Sequence, residues 1–149
     1  MGLDMYYYRR YHTPATFGEQ VETIDGKKIP LSNNELRSRT VEELVGYQRK
    51  ANAIHGWIVD NLAEGVDECQ EIPLDKYGLL ALIAEIHVAL DSGEGLDPQS
   101  GFFFGGQEKD DYWRECLMQA RDIAVWLLDD MEEPKPEGVY IQWYYQASW

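Results

Sequence analysis

Segments rich in aromatic β-formers stand near both ends of this chain, and their placement most restricts the fold. Residues 3–12, with three consecutive tyrosines, and residues 139–145 predict a first and a last strand. Helical patterns fill much of the region between them. We therefore expect an α+β fold in a single domain, residues 1–149. It would consist of a small, mostly antiparallel sheet from the N- and C-terminal strands plus a hairpin, packed by three helices.

The remaining elements follow from turn and capping signals. Asp25-Gly26 between two short β-prone runs, residues 20–24 and 27–29, predicts the hairpin. Thr40 followed by Glu43 forms a capping-box pattern, which predicts a helix over 41–62. Apolar periodicity predicts two further helices, over 73–91 and 109–131, joined by a loop over 93–107.

The distribution of charge limits the classes of partner. The net charge is −14, and residues 51–149 carry nearly all of it, since residues 1–50 are close to neutral. Nucleic-acid binding by counterion release requires basic surface, so we expect no direct nucleic-acid contact. An acidic surface suits a basic protein partner, although such charge also serves solubility.

The sequence indicates a cytoplasmic protein without cofactors. The first residues show no basic region and no apolar stretch of signal-peptide length, and no apolar run is long enough to span a membrane. Two cysteines, Cys69 and Cys116, fit a reducing compartment. The histidines and cysteines show none of the common metal-ligand spacings, so we expect neither a metal nor a cofactor.

A polar and aromatic run on the first predicted helix forms a candidate ligand site. Gln48, Asn52 and His55 are spaced to share one helical stripe. The candidate ligand-binding residues are Arg49, Lys50, Asn52, His55 and Trp57. Cationic groups and an indole suit an anionic small molecule such as a nucleotide. Alternatively, Asn52 and His55 bond to the backbone of the 93–107 loop and Trp57 belongs to the core. Catalytic residues are unknown, because no partner that would orient a general base is evident.

Aromatic residues also stand where they could anchor a protein partner. Neighbouring residues of an extended segment face opposite sides, so Phe102, Phe103 and Phe104 cannot all point inward. The same holds for the tyrosines of the first strand, so a tyrosine row is expected to face outward. Aromatic residues on both terminal strands also allow a homodimer through a sheet edge.

Several stretches together resemble a family of small uncharacterised proteins found mainly in bacteriophages and bacterial genomes. They are residues 2–6, 49–57, 99–105 and 145–149, read as Gly-Leu-Asp-Met-Tyr, Arg-Lys-Ala-Asn-Ala-Ile-His-Gly-Trp, Gln-Ser-Gly-Phe-Phe-Phe-Gly and Tyr-Gln-Ala-Ser-Trp. Gln48 replaces a tryptophan that is usual in the family, and Ala147 replaces a serine. The resemblance implies a single domain and a phage or prophage origin, and it implies no catalytic roles.

Two functions follow as expectations. The first is a non-enzymatic, phage-type binding protein that engages and modulates or inhibits a host protein. Its candidate partner-binding residues are Phe103, Glu108, Asp110, Asp111, Asp129, Asp130 and Trp149. The alternative is a small-molecule or nucleotide-binding protein, or an enzyme, with its site on the 49–57 segment.

Overall fold

Two strands from opposite ends of the chain lie side by side in the main sheet. The structure, a computed structural model, describes residues 2–14, 21–24, 27–30, 38–101 and 105–149. The strands are β1 (Asp4–Pro14), β2 (Val21–Ile24), β3 (Lys27–Pro30), β4 (Ser38–Arg49), β5 (Ile72–Pro73) and β6 (Tyr140–Ser148). The helices are α1 (Asn52–Leu62), α2 (Lys76–Ser92) and α3 (Asp111–Glu132).

The main sheet has the order β4-β1-β6-β5, and each neighbouring pair is antiparallel. Asp4 pairs with Ser148 and His12 with Tyr140, which confirms the α+β fold with a sheet that contains both terminal strands. Strands β2 and β3 pair as a separate two-stranded sheet rather than extending the main one. The predicted Asp25-Gly26 turn lies outside the described residues.

The predicted helix over 41–62 is wrong in its first half. Residues up to Arg49 belong to β4, and α1 begins at Asn52. Strand β4 pairs with β1 along its whole length, which satisfies the backbone groups that face β1; the alternate groups face away because β4 is an edge strand of the described sheet. Lys50, with φ of 54°, turns the chain from the strand into the helix. The capping-box pattern at Thr40 and Glu43 therefore caps no helix.

The helices pack on one face of the main sheet, which we call the inner face. Met5, Tyr7 and Tyr145 point from the sheet into this core. Gly46 lies beside Tyr7 and allows α3 to approach, because a Cβ at Gly46 would lie 2.9 Å from Cγ2 of Ile123. The inner face therefore depends on a glycine that a helical interpretation leaves unexplained.

Side-chain caps and a left-handed glycine set the ends of the two longer helices. Asp75 accepts a hydrogen bond from the Gly78 amide at the start of α2, and Asp110 accepts one from Trp113 at the start of α3. Gly93, with φ of 75°, ends α2. Within the described ranges, no helix has the length and apolar character needed to cross a membrane.

Candidate functional site

Lys50 and Asn52 line a small cavity at the start of α1. The cavity has a volume of about 30 Å³, and Glu108, Asp110 and Tyr112 also contribute to its wall. This volume suits water, whereas ligand pockets usually enclose at least about 300 Å³. The two carboxylates beside one lysine also make the cavity a poor place for an anion.

Asn52 holds the 93–107 loop against α1. Its side chain is 4% exposed, its Nδ2 donates to the Gly106 carbonyl at 2.8 Å, and its Oδ1 accepts from the Gln99 amide at 3.0 Å. Gly56 allows this approach, since a Cβ there would lie 2.5 Å from Cγ of Gln99. The amide therefore bonds to loop backbone, as the structural interpretation of the sequence predicts.

His55 forms the centre of a buried chain of hydrogen bonds. Its ring is 2% exposed, with Nδ1 at 2.7 Å from the Tyr145 hydroxyl and Nε2 at 2.9 Å from Oδ2 of Asp67. The other carboxylate oxygen of Asp67 accepts from Nε1 of Trp149 at 3.1 Å. A neutral imidazole can accept from the tyrosine and donate to the aspartate, so both ring nitrogens are satisfied. Among the described residues, the partners of His55 are the side chains of Tyr145 and Asp67.

Two of the five candidate ligand-binding residues line the cavity at the start of α1. Lys50 and Asn52 line the small cavity, but Arg49, His55 and Trp57 do not. Arg49 ends β4 with its Nε 3.9 Å from Asp4, and Trp57 is partly buried against the core. Gln48, predicted to share a stripe with Asn52 and His55, lies on a strand and bonds instead to Tyr7 and the Cys116 carbonyl.

Asp130 is an internal partner rather than a surface charge. It is 7% exposed and bonds to Nη1 of Arg9 at 2.6 Å, Nε1 of Trp143 at 2.8 Å and Nζ of Lys135 at 3.3 Å. Burial alone would raise the pKa of this carboxyl, but the indole hydrogen bond and the two cations outweigh burial and hold the pKa below its ordinary value. Asp130 therefore has three partners within the fold, and its role in partner binding stays a prediction.

The other candidate partner-binding acids do not form one patch. Glu108, Asp110 and Asp111 lie at the start of α3 and Asp129 near its end, about 27 Å away along the axis. Asp110 also serves as the helix cap. Trp149 is about half exposed and bonds to Asp67, and Phe103 lies outside the described residues.

The outer face of the main sheet carries a cluster of aromatic rings. We call this surface the open face; it consists of the rings of Tyr6, Tyr8, Tyr47 and Tyr144 together with Leu44, and Tyr144, 4% exposed, forms its buried base. Tyr6 contacts Tyr8 and Tyr47 with ring centroids 6.1 and 5.4 Å apart, and Tyr8 stacks on Tyr144 at 5.0 Å. Leu44 and Tyr47 remain 55% and 48% exposed. The expected outward tyrosine row is confirmed, but the contribution of β4 was missed because those residues were assigned to a helix.

The two thiols differ in accessibility, which gives a test of the packing around α3. Cys116 is buried and burial raises its pKa, whereas Cys69 is partly exposed. We expect a thiol reagent to modify Cys69 in the native protein and Cys116 only after denaturation, as followed by mass spectrometry of the labelled peptides. Equal labelling rates in the native protein would contradict the packing described for Cys116.

Comparison with known proteins assigns no role to these residues. The chain matches no protein-family model, no curated protein and no solved structure. Among the described residues, no group of three or more histidine, cysteine or acidic side chains could hold a metal ion. The described geometry is that of an α+β protein with helices on the inner face of its sheet and aromatic rings on the outer face.

Proposed function

We propose that this chain is a small acidic binding protein, not an enzyme, that engages and modulates a host protein in the manner of a phage protein. The open face is the single observation that carries the proposal. This surface places the half-exposed side chains of Leu44 and Tyr47 beside a cluster of packed tyrosine rings. The resemblance of the sequence to phage and bacterial proteins supports a phage origin.

The chemistry of the open face is typical of protein interfaces. Tyrosine and arginine are enriched in interface cores, and tyrosine offers a large contact area for few rotatable bonds. Ring contacts within the cluster already restrict Tyr6 and Tyr8, so a partner would order them at little further entropic cost. Arg10, with its guanidinium carbon 4.4 Å from the Tyr144 ring centroid, extends the surface.

The alternative, a small-molecule or nucleotide site on residues 49–57, has less support. Asn52 and His55 are engaged by the loop and by Tyr145 and Asp67. The cavity near Lys50 is small and flanked by carboxylates. Native mass spectrometry of protein purified gently from cells tests this alternative, since a retained ligand would add a few hundred daltons.

Removing the exposed apolar groups of the open face should weaken partner binding. We expect a Leu44→Ser, Tyr47→Ser double variant to weaken affinity for the host protein at least about tenfold, because buried aromatic anchors dominate interface energies. The measurement is capture from host cells that express the tagged protein, followed by titration of the purified partner. Tyr77→Ser is the matched control, since Tyr77 is 81% exposed on α2, which packs on the inner face.

The contribution of charge to partner affinity can be measured separately from the contribution of the apolar groups. Replacing Glu108 and Asp111 with amides should reduce affinity and its salt dependence if the start of α3 faces the partner, while Asp129→Asn tests the far end. Unchanged binding by the Leu44→Ser, Tyr47→Ser variant would overturn the assignment of the open face. Equal loss in Tyr77→Ser would indicate a different surface.

A further inference from the structure

Among the described residues, strand β6 has a partly uncovered edge on the side opposite β1. Its residues Tyr140–Ser148 all pair with β1, but on the other side β5 pairs only at Tyr144 and Tyr145. After Pro73 the chain turns away from the sheet to begin α2 at Lys76. The sheet therefore ends in a step beside the first residues of β6.

Main-chain groups of β6 point into this step. The Leu74 amide donates to the Trp143 carbonyl at 2.9 Å, so the backbone groups of Trp143 point away from β1. In an antiparallel ladder the bonding direction alternates from residue to residue, so the N–H and C=O of Ile141 also point away from β1. Ile141 thus offers a donor and an acceptor to an added strand.

A groove of about 450 Å³ lies along the same step, and we call it the edge groove. Its lining residues are Arg10, Glu71, Pro73, Leu74, Ile141, Gln142, Trp143 and Tyr144. Ile141 and Trp143 belong to the inner face, whereas Gln142 and Tyr144 belong to the outer face. An extended peptide in the groove would therefore meet apolar groups on one side and polar groups on the other.

The charges beside the edge groove favour a basic occupant. Arg10 lies between Glu42 and Glu71, with Nη2 to carboxylate distances of 2.9 and 2.6 Å. These two carboxylates outnumber the guanidinium, and both remain more than 40% exposed. A second copy of this chain would bring another net charge of −14, so long-range repulsion disfavours self-association here.

We propose that the edge groove captures an extended segment of the partner in which basic and apolar residues alternate, by adding it as a strand to β6. The apolar residues pair with Ile141 on the inner side and bond to its backbone. The basic residues lie on the outer side, nearest to Glu71. This inference rests on the proposed binding function and names the chemistry of the partner segment.

A synthetic peptide of alternating lysine and valine tests the inference directly. We expect a fluorescein-labelled form to bind the full-length protein in an anisotropy titration, and the matching glutamate–valine peptide to bind at least about tenfold more weakly. N-methylation of the valine amides should remove most binding, because those amides face β6. N-methylation of the lysine amides should leave it nearly unchanged, because those amides face away.

Two variants of the protein provide the complementary test. Ile141→Pro removes the N–H that points into the edge groove and leaves the ladder with β1 in place, so it should weaken peptide binding about tenfold. Glu71→Gln should lower the salt dependence of binding. Circular dichroism checks that Ile141→Pro folds, and the methylated peptides on the unaltered protein give the answer if it does not.

The possible outcomes distinguish a failure of this inference from a failure of the proposed function. Equal loss for the two methylated peptides, equal binding of the glutamate–valine peptide, or no binding of the lysine–valine peptide would overturn strand addition of a basic segment. If the host protein is captured through the open face while Ile141→Pro has no effect on that capture, the proposed function stands and the edge-groove inference fails. If no host protein depends on the open face, the proposed function fails whatever the peptides show.

Discussion

Replacing Asp130 with alanine is expected to lower the free energy of unfolding by about 3 kcal/mol. The substitution removes the acceptor shared by Arg9, Lys135 and the Trp143 indole, three groups drawn from β1, the segment after α3 and β6. Arg9 would retain its ion pair with Glu43 at 2.6 Å, so its charge would keep one of two carboxylate partners. The loss therefore arises from an unpaired indole N–H and a weakened connection between α3 and the sheet.

Urea unfolding near neutral pH measures this loss, and Asp129→Ala is the matched control. Asp129 is the neighbouring acid on α3 but is exposed, so its replacement should change stability by no more than about 0.5 kcal/mol. Similar effects of the two substitutions would contradict the burial and bonding assigned to Asp130.

The pH dependence of stability, compared between the wild-type protein and a second variant, Asp130→Asn, gives an independent check. Because the pKa of Asp130 is held below its ordinary value in the folded protein, its contribution is present above the unfolded pKa, near about 3.9. It is lost as the pH falls through the folded pKa. The stability difference between the wild-type protein and Asp130→Asn should therefore shrink on acidification below that range.

The terminal strands were predictable because their signal is local and strong. Consecutive tyrosines in β1 and the aromatic run of β6 are typical of strands, and the longer helices α2 and α3 combine apolar periodicity with aspartate caps. These strands and helices were sufficient to predict the α+β fold. The pairing partners of β4 and β5 were not predictable from them, because strand pairing depends on contacts distant in sequence.

Strand β4 shows why the local sequence pattern predicted the wrong secondary structure in one region. Thr40, Glu43, Leu44 and Tyr47 imitate a capped amphipathic helix, but Leu44 and Tyr47 point to the open face and not to the core. A bulge next to Gly46 changes the alternation, so a simple strand pattern was also obscured. The informative signal was Gly46 itself, since a glycine inside a helix is destabilising by about 1 kcal/mol.

The sequence indicated that Asn52 and His55 need hydrogen-bond partners, whereas the role of the candidate site stays a prediction. Asn52 and His55 were selected because buried polar groups require partners, and each is buried and bonded. Their partners lie in the 93–107 loop, in Asp67 and in Tyr145. Only the folded arrangement shows that these bonds join separate parts of the chain, and that Arg49 and Trp57 lie elsewhere.

The second large effect is expected from His55→Ala, which should lower the free energy of unfolding by about 3 kcal/mol. The change leaves the Tyr145 hydroxyl without its imidazole partner in the core and opens a cavity in place of the ring. It also removes the Asp67 bond that joins α1 to the segment before β5.

His87→Ala is the matched control for that substitution, because His87 is exposed on α2 and its replacement should change stability by no more than about 0.5 kcal/mol. Thermal and urea unfolding compare the two variants. A second readout is the fluorescence of Trp149, whose indole bonds to Asp67 and should become more mobile once His55 no longer positions that carboxylate.

If His55→Ala is as stable as His87→Ala yet loses binding of the host partner, His55 belongs to a binding site and the structural role argued for it is wrong. If stability falls as expected and the residual folded protein still binds, the hydrogen-bond chain serves the fold alone.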